Sequence, residues 1–235
     1  MSEFLQTARE NLSFILVCLV VFVGLVLVAR LAERLLIKQS QRLSSARSIA
    51  YIAIFAAIAA VLMFLEFPLF FAPSFYEIDL SEVPVLICTF YLGPVAGVVC
   101  EFLKVLLKLL MKGTSTAFVG DFANFALGCT LVLPASIVYH YRKSKKSAVR
   151  GMILGTVFMT VFGSLFNAFF LIPKYVQLYK LPLDAIIGMG TKVNPAITSV
   201  STLVLFAVVP FNIVKGVVVS LITLLLYKRV ERLLK

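Results

Sequence analysis

Apolar stretches recur along this chain, and several run for about 18 residues or more with few charges among them. Wound as a helix, a run of that length crosses the roughly 30 Å hydrocarbon core of a bilayer. With 61% hydrophobic and only 14% charged residues in 235, the chain has too little polar surface to cover a water-soluble fold. Strands of a transmembrane barrel would alternate polarity over segments of about ten residues, and these runs do not alternate. The expected fold is therefore all-α, a polytopic membrane helical bundle. Its helices fall at about 12–36, 48–66, 80–92, 94–112, 120–141, 148–172 and 202–228. The third and fourth meet at Gly93-Pro94, where proline breaks the helix.

The net charge of +11 does not point to nucleic acid, because of where the charges fall. Arg30, Arg34, Lys38, Arg42 and Arg47 follow the first apolar run. Arg142, Lys143, Lys145, Lys146 and Arg150 separate two later runs, and Lys228, Arg229, Arg232 and Lys235 close the chain. All three clusters fall on one side of a membrane, so by the positive-inside rule they and the C-terminus are expected to be cytoplasmic. The connections 67–79, 113–119 and 173–201 then lie outside. The first is rich in proline and aromatics, with Glu66, Glu77, Asp79 and Glu82 in or beside it. The last is long, and its apolar Leu183, Ile186, Ile187 and Met189 suit a segment folded back over the outer face. The run Leu12 to Ala29 has no basic segment before it and no small-residue cleavage site after it. It is read as a membrane helix rather than a leader.

Polar groups within the apolar runs are the candidates for chemistry, since they are costly there. Glu101, Lys104 and Lys108 are spaced to share one helical face and to pair with one another; the competing reading has the lysines reaching for headgroups. Asn212 and Lys215, in Pro210-Phe-Asn-Ile-Val-Lys-Gly216, lie three apart behind a proline that should kink the helix. An amide beside an ammonium offers several donors and one acceptor, which suits a ligand edge with carbonyls and an imide. Helix–helix hydrogen bonding is the plainer alternative. Ser164 and Asn167 share a face among aromatics, and Asn124 follows Asp121, a candidate helix cap. The pairs Ala53/Ala57 and Ala56/Ala60 make overlapping small-residue strips on the second helix, suited to close packing inside or outside the chain. Cys18, Cys88, Cys100 and Cys129 have no C-x-x-C spacing, and His140 is the single histidine. A metal site and intramembrane hydrolysis are therefore not expected. No nucleotide-binding G-x-x-x-x-G-K-[ST] loop is present, so any ATP must be used elsewhere.

Several stretches together resemble the riboflavin-binding S components of energy-coupling-factor (ECF) transporters. They are Ile78-Asp-Leu-Ser-Glu-Val-Pro84, Phe90-Tyr-Leu-Gly-Pro-Val-Ala-Gly97 with Lys104, Gly120-Asp-Phe-Ala-Asn-Phe-Ala-Leu-Gly128, Asn167 with Pro173, Asp184-Ala-Ile-Ile-Gly-Met-Gly190, Asn194-Pro-Ala196 and Pro210–Gly216. The likeness runs from about residue 48 to the end. It implies two parts: a six-helix substrate-binding unit over 48–235, and over 1–47 an extra helix with a basic linker, to which it assigns no role. It also implies a non-enzymatic carrier without a cofactor, with riboflavin as the transported ligand. The ligand is held by Asn167, Asn212 and Lys215, with Lys104, Asn124 and Asp79 nearby, under a lid formed by the loop before Asp79. The implied partners are a transmembrane coupling protein, meeting the alanine strip of Ala53, Ala56, Ala57 and Ala60, and two ATPase subunits. A carrier for another vitamin or for flavin mononucleotide is the alternative, with Lys104 and Lys108 as partners for a phosphate.

Overall fold

The computed structural model describes residues 11–37, 45–180 and 182–234; Lys38, Arg42 and Lys235 of the basic clusters lie outside them. Helix α1 spans Leu12–Leu36, α2 Ala46–Leu62, α3 Glu82–Leu92, α4 Pro94–Lys112 and α5 Val119–Tyr141. Helix α6 (Lys145–Phe166) passes through one π turn, Asn167–Leu171, into α7 (Ile172–Tyr179). After α8 (Leu183–Thr191), the short α9 (Val200–Leu203) passes through a second π turn, Val204–Val208, into α10 (Val209–Leu234). Two short antiparallel strands, β1 (Phe67–Pro68) and β2 (Glu77–Ile78), pair Phe67 with Ile78.

Helices α1 and α5, and the continuous runs Lys145–Tyr179 and Val200–Val230, are long and apolar enough to cross a bilayer. Their outer faces carry bare Leu16, Val20, Val157, Val161 and Leu221, while polar residues gather inside. This inverted pattern belongs to a membrane bundle. The described basic residues Arg34, Arg47, Arg142, Lys145, Arg229 and Arg232 are all exposed, at the ends where α1, α5 and α10 finish and α2 and α6 begin. We call this the basic end and its opposite, which carries the β1–β2 hairpin, the hairpin end.

Helix α3 is the centre of the bundle. It is only 11 residues long, and all of them but Tyr91 are buried, against α2, α4, α5 and α10. It starts late because the chain from β2 dips inward before Asp79, whose Oδ1 accepts the Ser81 N–H at 2.7 Å. It stops at Gly93, whose φ of 112° is open to glycine and costly for other residues, and Pro94 then supplies the first turn of α4. Ser45 and Ser144 cap α2 and α6, accepting the N–H of Ser48 and Ser147 at 3.2 and 3.1 Å.

The kink expected at Pro210 takes the form of the second π turn, and the first π turn stands in the same relation to Pro173. In each, a wider bond closes just before the proline: Ile172 N–H to Asn167 O, and Val209 N–H to Val204 O. The extra residue gives each proline ring room where an α turn would bring it against a carbonyl. Helix α6 therefore continues through Pro173 instead of ending near residue 172, and the connection 173–201 holds α7 and α8.

Helices α5 and α6 approach closely at Gly151 and Gly155. A Cβ on Gly151 would sit 2.6 Å from the Ala135 carbonyl oxygen, and one on Gly155 would overlap that of Leu131. Gly155→Ala should therefore destabilise the bundle by about 1–3 kcal/mol, read as a lower unfolding midpoint in detergent. Gly24→Ala, with nothing within 4 Å, should leave the midpoint unchanged or slightly raised.

Candidate functional site

At the hairpin end the helices splay around a cavity of about 580 Å³, within the usual range for small-molecule sites. Its floor is set by Glu82 at the head of α3, and by Asn212 and Lys215 on α10. One wall is the start of α5, with Gly120, Asp121 and Asn124, and another is Asn167 and Leu171 on the first π turn. Over it lie the hairpin loop, through Phe75, Tyr76 and Glu77, and the α7–α8 segment, through Tyr175, Ile186 and Met189.

Five of the six candidate ligand-binding residues therefore line one space: Asp79, Asn124, Asn167, Asn212 and Lys215. Lys104 does not. Its side chain is 0% exposed and nested between Glu82 (2.8 Å) and Glu101 (2.7 Å), one layer beneath the cavity floor. The expected mutual pairing of Glu101, Lys104 and Lys108 holds only for the first two. Lys108 instead reaches Asp121 at 2.6 Å, across the turn at Gly113. Asp121 is accordingly an ion partner, also accepting the Thr114 hydroxyl at 2.7 Å, and not the cap of α5; Phe118 holds that place without a side-chain bond. Ser164 bonds back to Thr160 O and does not line the cavity.

The amides are held in defined orientations. Asn167 Nδ2 donates to Gly163 O at 2.8 Å, and its Oδ1 accepts the Tyr76 hydroxyl at 2.8 Å. Asn212 Nδ2 donates to Val208 O at 2.9 Å. A carbonyl facing that position requires the NH₂ there, which turns Oδ1 the other way. That buried oxygen finds no partner among the described residues. Gly163 makes the arrangement possible, since a Cβ there would stand 3.0 Å from Asn212 Nδ2. One turn further on, Lys215 Nζ lies 3.0 Å from Asp79 Oδ2. Burial raises the Asp79 carboxyl, but the Lys215 and Lys104 ammoniums and the Ser81 N–H outweigh it and hold the group below the usual carboxylate range. At the rim, burial and the neighbouring Glu66 carboxyl raise Glu77 above its ordinary value. Nearby, Glu66 makes a partly exposed pair with Lys112 at 3.6 Å, of a kind that contributes little.

A family model for the ECF transporter substrate-specific component matches residues 47–227, more than half of the chain. The chain belongs to this family. It is a membrane transporter component and not an enzyme. It is 38% identical over 184 residues to the riboflavin transporter RibU of Staphylococcus aureus, covering 78% of this chain and 90% of that one. It is 28% identical to the riboflavin transporter FmnP of Bacillus subtilis, covering 79% and 92%. A solved S component of a bacterial ECF transporter superposes with a TM-score of 0.61 at 36% identity, over 80% of this chain and 96% of that one.

In this S component the alanines of α2 separate by face. Ala56 and Ala60 are buried against the bundle, whereas Ala53 and Ala57 are exposed beside Ile54 and Ile58. The sequence pattern supports both registers equally; packing puts Ala53/Ala57 on the outside. Residues not singled out from sequence also line the cavity: Tyr76, Tyr175, Tyr179, Phe211 and Met159. The spacing of Tyr175 and Tyr179, one turn apart in an otherwise unassigned loop, was the available signal.

At and beneath the floor, Asp79, Glu82 and Glu101 face Lys104 and Lys215, three carboxyl groups to two ammoniums. Gly128 leaves room for Glu101, as a Cβ there would lie 2.6 Å from its carboxyl. Lys104→Ala should cost about 3–5 kcal/mol, because it strands two buried carboxylates. Glu101→Gln keeps the shape and removes the surplus carboxyl group, and should cost far less. Unfolding midpoints of the two purified variants check the difference.

Proposed function

We propose that this S component binds riboflavin in the hairpin-end cavity and delivers it across the membrane as part of an ECF transporter. The observation that carries the reading is the buried Asn212 Oδ1, without a partner among the described residues and one helical turn from the Lys215 ammonium. An acceptor beside a donor matches the flavin pyrimidine edge: Oδ1 takes the imide N–H, and Lys215 keeps protons for an adjacent carbonyl after one is given to Asp79. Asn167, already oriented by Tyr76 and Gly163 O, offers its second amide proton to the same ring. Tyr76, Phe211, Leu171 and Met159 suit the flat, apolar dimethylbenzene end. Similarity to two riboflavin transporters supports the same ligand.

The unphosphorylated vitamin is favoured over flavin mononucleotide. Lys104 and Lys108, the cations assigned to a phosphate, are taken up by Glu82, Glu101 and Asp121. A dianion would have to displace a carboxylate from one of them.

By the charge rule the basic end and C-terminus are cytoplasmic, so the cavity opens outside and the hairpin loop with α7–α8 covers it. Coupling needs an energy source that this chain lacks. We assign it to two ATPase subunits joined through a transmembrane coupling protein that docks on Ala53 and Ala57. Backbone approach over such a strip requires side chains no larger than alanine.

Leaving a buried group without its ligand partner costs about 1–3 kcal/mol, so Asn212→Ala should weaken riboflavin binding at least tenfold, and Lys215→Ala should do the same. Quenching of flavin fluorescence by the purified chain reads this directly, and unchanged affinity in both variants refutes the site. Ala57→Leu should leave that binding intact and abolish uptake by cells expressing the whole transporter.

A further inference from the structure

Helix α1 lies outside the stretch matched by the family model, yet one face of it touches the bundle at points from Phe14 to Glu33. Its inward residues Phe14, Phe22, Leu25, Ala29 and Glu33 recur at helical spacing, and the opposite face is bare and apolar up to the exposed Arg30 and Arg34. At the basic end the Glu33 carboxylate accepts the Val95 N–H at 3.1 Å. This is the first turn of α4, where N–H groups lack intrahelical partners and negative charge is favoured. Gly93 makes space for it: a Cβ there would lie 2.9 Å from Glu33 Oε1. Midway, Phe22 stacks on Phe102 with centroids 4.1 Å apart. At the hairpin end Phe14 meets Phe122 edge-on at 5.7 Å and stacks against Phe170 at 6.2 Å.

Those last two rings stand behind the cavity walls, on segments whose neighbouring residues line it. Phe122 sits between Asp121 and Asn124 on α5, and Phe170 lies within the π turn between Asn167 and Leu171. The π turn is a soft point, since Pro173 removes a backbone donor just beyond it. Lipid chains have no fixed shape with which to hold such a turn, and apolar burial does not drive helices together in a bilayer. A ring bridging both walls from outside does hold them.

We propose that α1 is a brace for the ligand site. Anchored on α4 by Glu33, it uses Phe14 as a positioning residue that fixes the Asn167–Leu171 turn against the start of α5, and so slows ligand escape. This rests on the reading that the cavity takes riboflavin.

The test uses the purified full chain with Phe14→Ala, Phe14→Tyr and Phe22→Ala. Phe22 lies on the same helix, but its ring partners Phe102 and Phe125 are on α4 and α5 and not on the Asn167–Leu171 turn. Phe14→Ala should speed riboflavin dissociation at least fivefold and accelerate hydrogen exchange at residues 167–172. Phe14→Tyr should restore both. Phe22→Ala should lower the unfolding midpoint with dissociation within twofold of the parent. The brace is overturned if Phe14→Ala alters neither dissociation nor exchange, or if Phe14→Ala and Phe22→Ala change dissociation equally. A parent chain that does not bind riboflavin refutes the ligand reading alone, and the exchange comparison then decides the brace by itself.

Discussion

Lys104, held between Glu82 and Glu101 with no exposure to solvent, is the contact on which the architecture turns. In a bilayer the apolar exterior does not drive helices together, so packing and polar contacts must do so. This ammonium ties the head of α3 to the middle of α4, and the Asp79–Lys215 pair beside it ties the end of the hairpin loop to α10. Three stretches of chain, around 79–82, 101–104 and 215, meet in one layer. The cavity is the space directly above that layer, and its floor is therefore charged and fixed.

The same layer explains why the site can be selective. Its cations are engaged internally, so among the groups facing the cavity are the amides of Asn124, Asn167 and Asn212, a partly engaged ammonium and aromatic side chains. Tyr76 adds a further constraint, because its hydroxyl bonds Asn167 and its ring lies 5.5 Å from Phe211. The hairpin loop thus touches the two helices that carry Asn167 and Asn212. The position of the loop and the orientation of Asn167 are linked through one hydrogen bond.

Much of this was legible in the sequence, for a physical reason. An amide or ammonium inside an apolar run costs too much to be accidental, so Asn167, Asn212 and Lys215 stood out before any fold was known. The helices were legible from apolar run length, including the break at Gly93-Pro94. Aromatic walls were not, because Tyr76 and Tyr175 carry no such cost and look like any other apolar residue. Helix α7 was hidden by Pro173, which reads as a terminator unless a π turn makes room for it. Asp121 was read locally as a cap, whereas its partner Lys108 lies 13 residues back across a glycine turn, a pairing that needs the fold. The alanine registers could not be separated until packing showed which pair faces out.

The central claim is that Asn212 Oδ1 waits for a donor on a planar ligand. Competition between riboflavin and its N3-methyl derivative for the purified chain probes it most directly, since methylation removes that single N–H and leaves the ring system otherwise intact. The account predicts that the methylated flavin binds at least tenfold more weakly to the parent chain, and that the gap closes in Asn212→Ala. Equal affinity of the two flavins for the parent chain would contradict it.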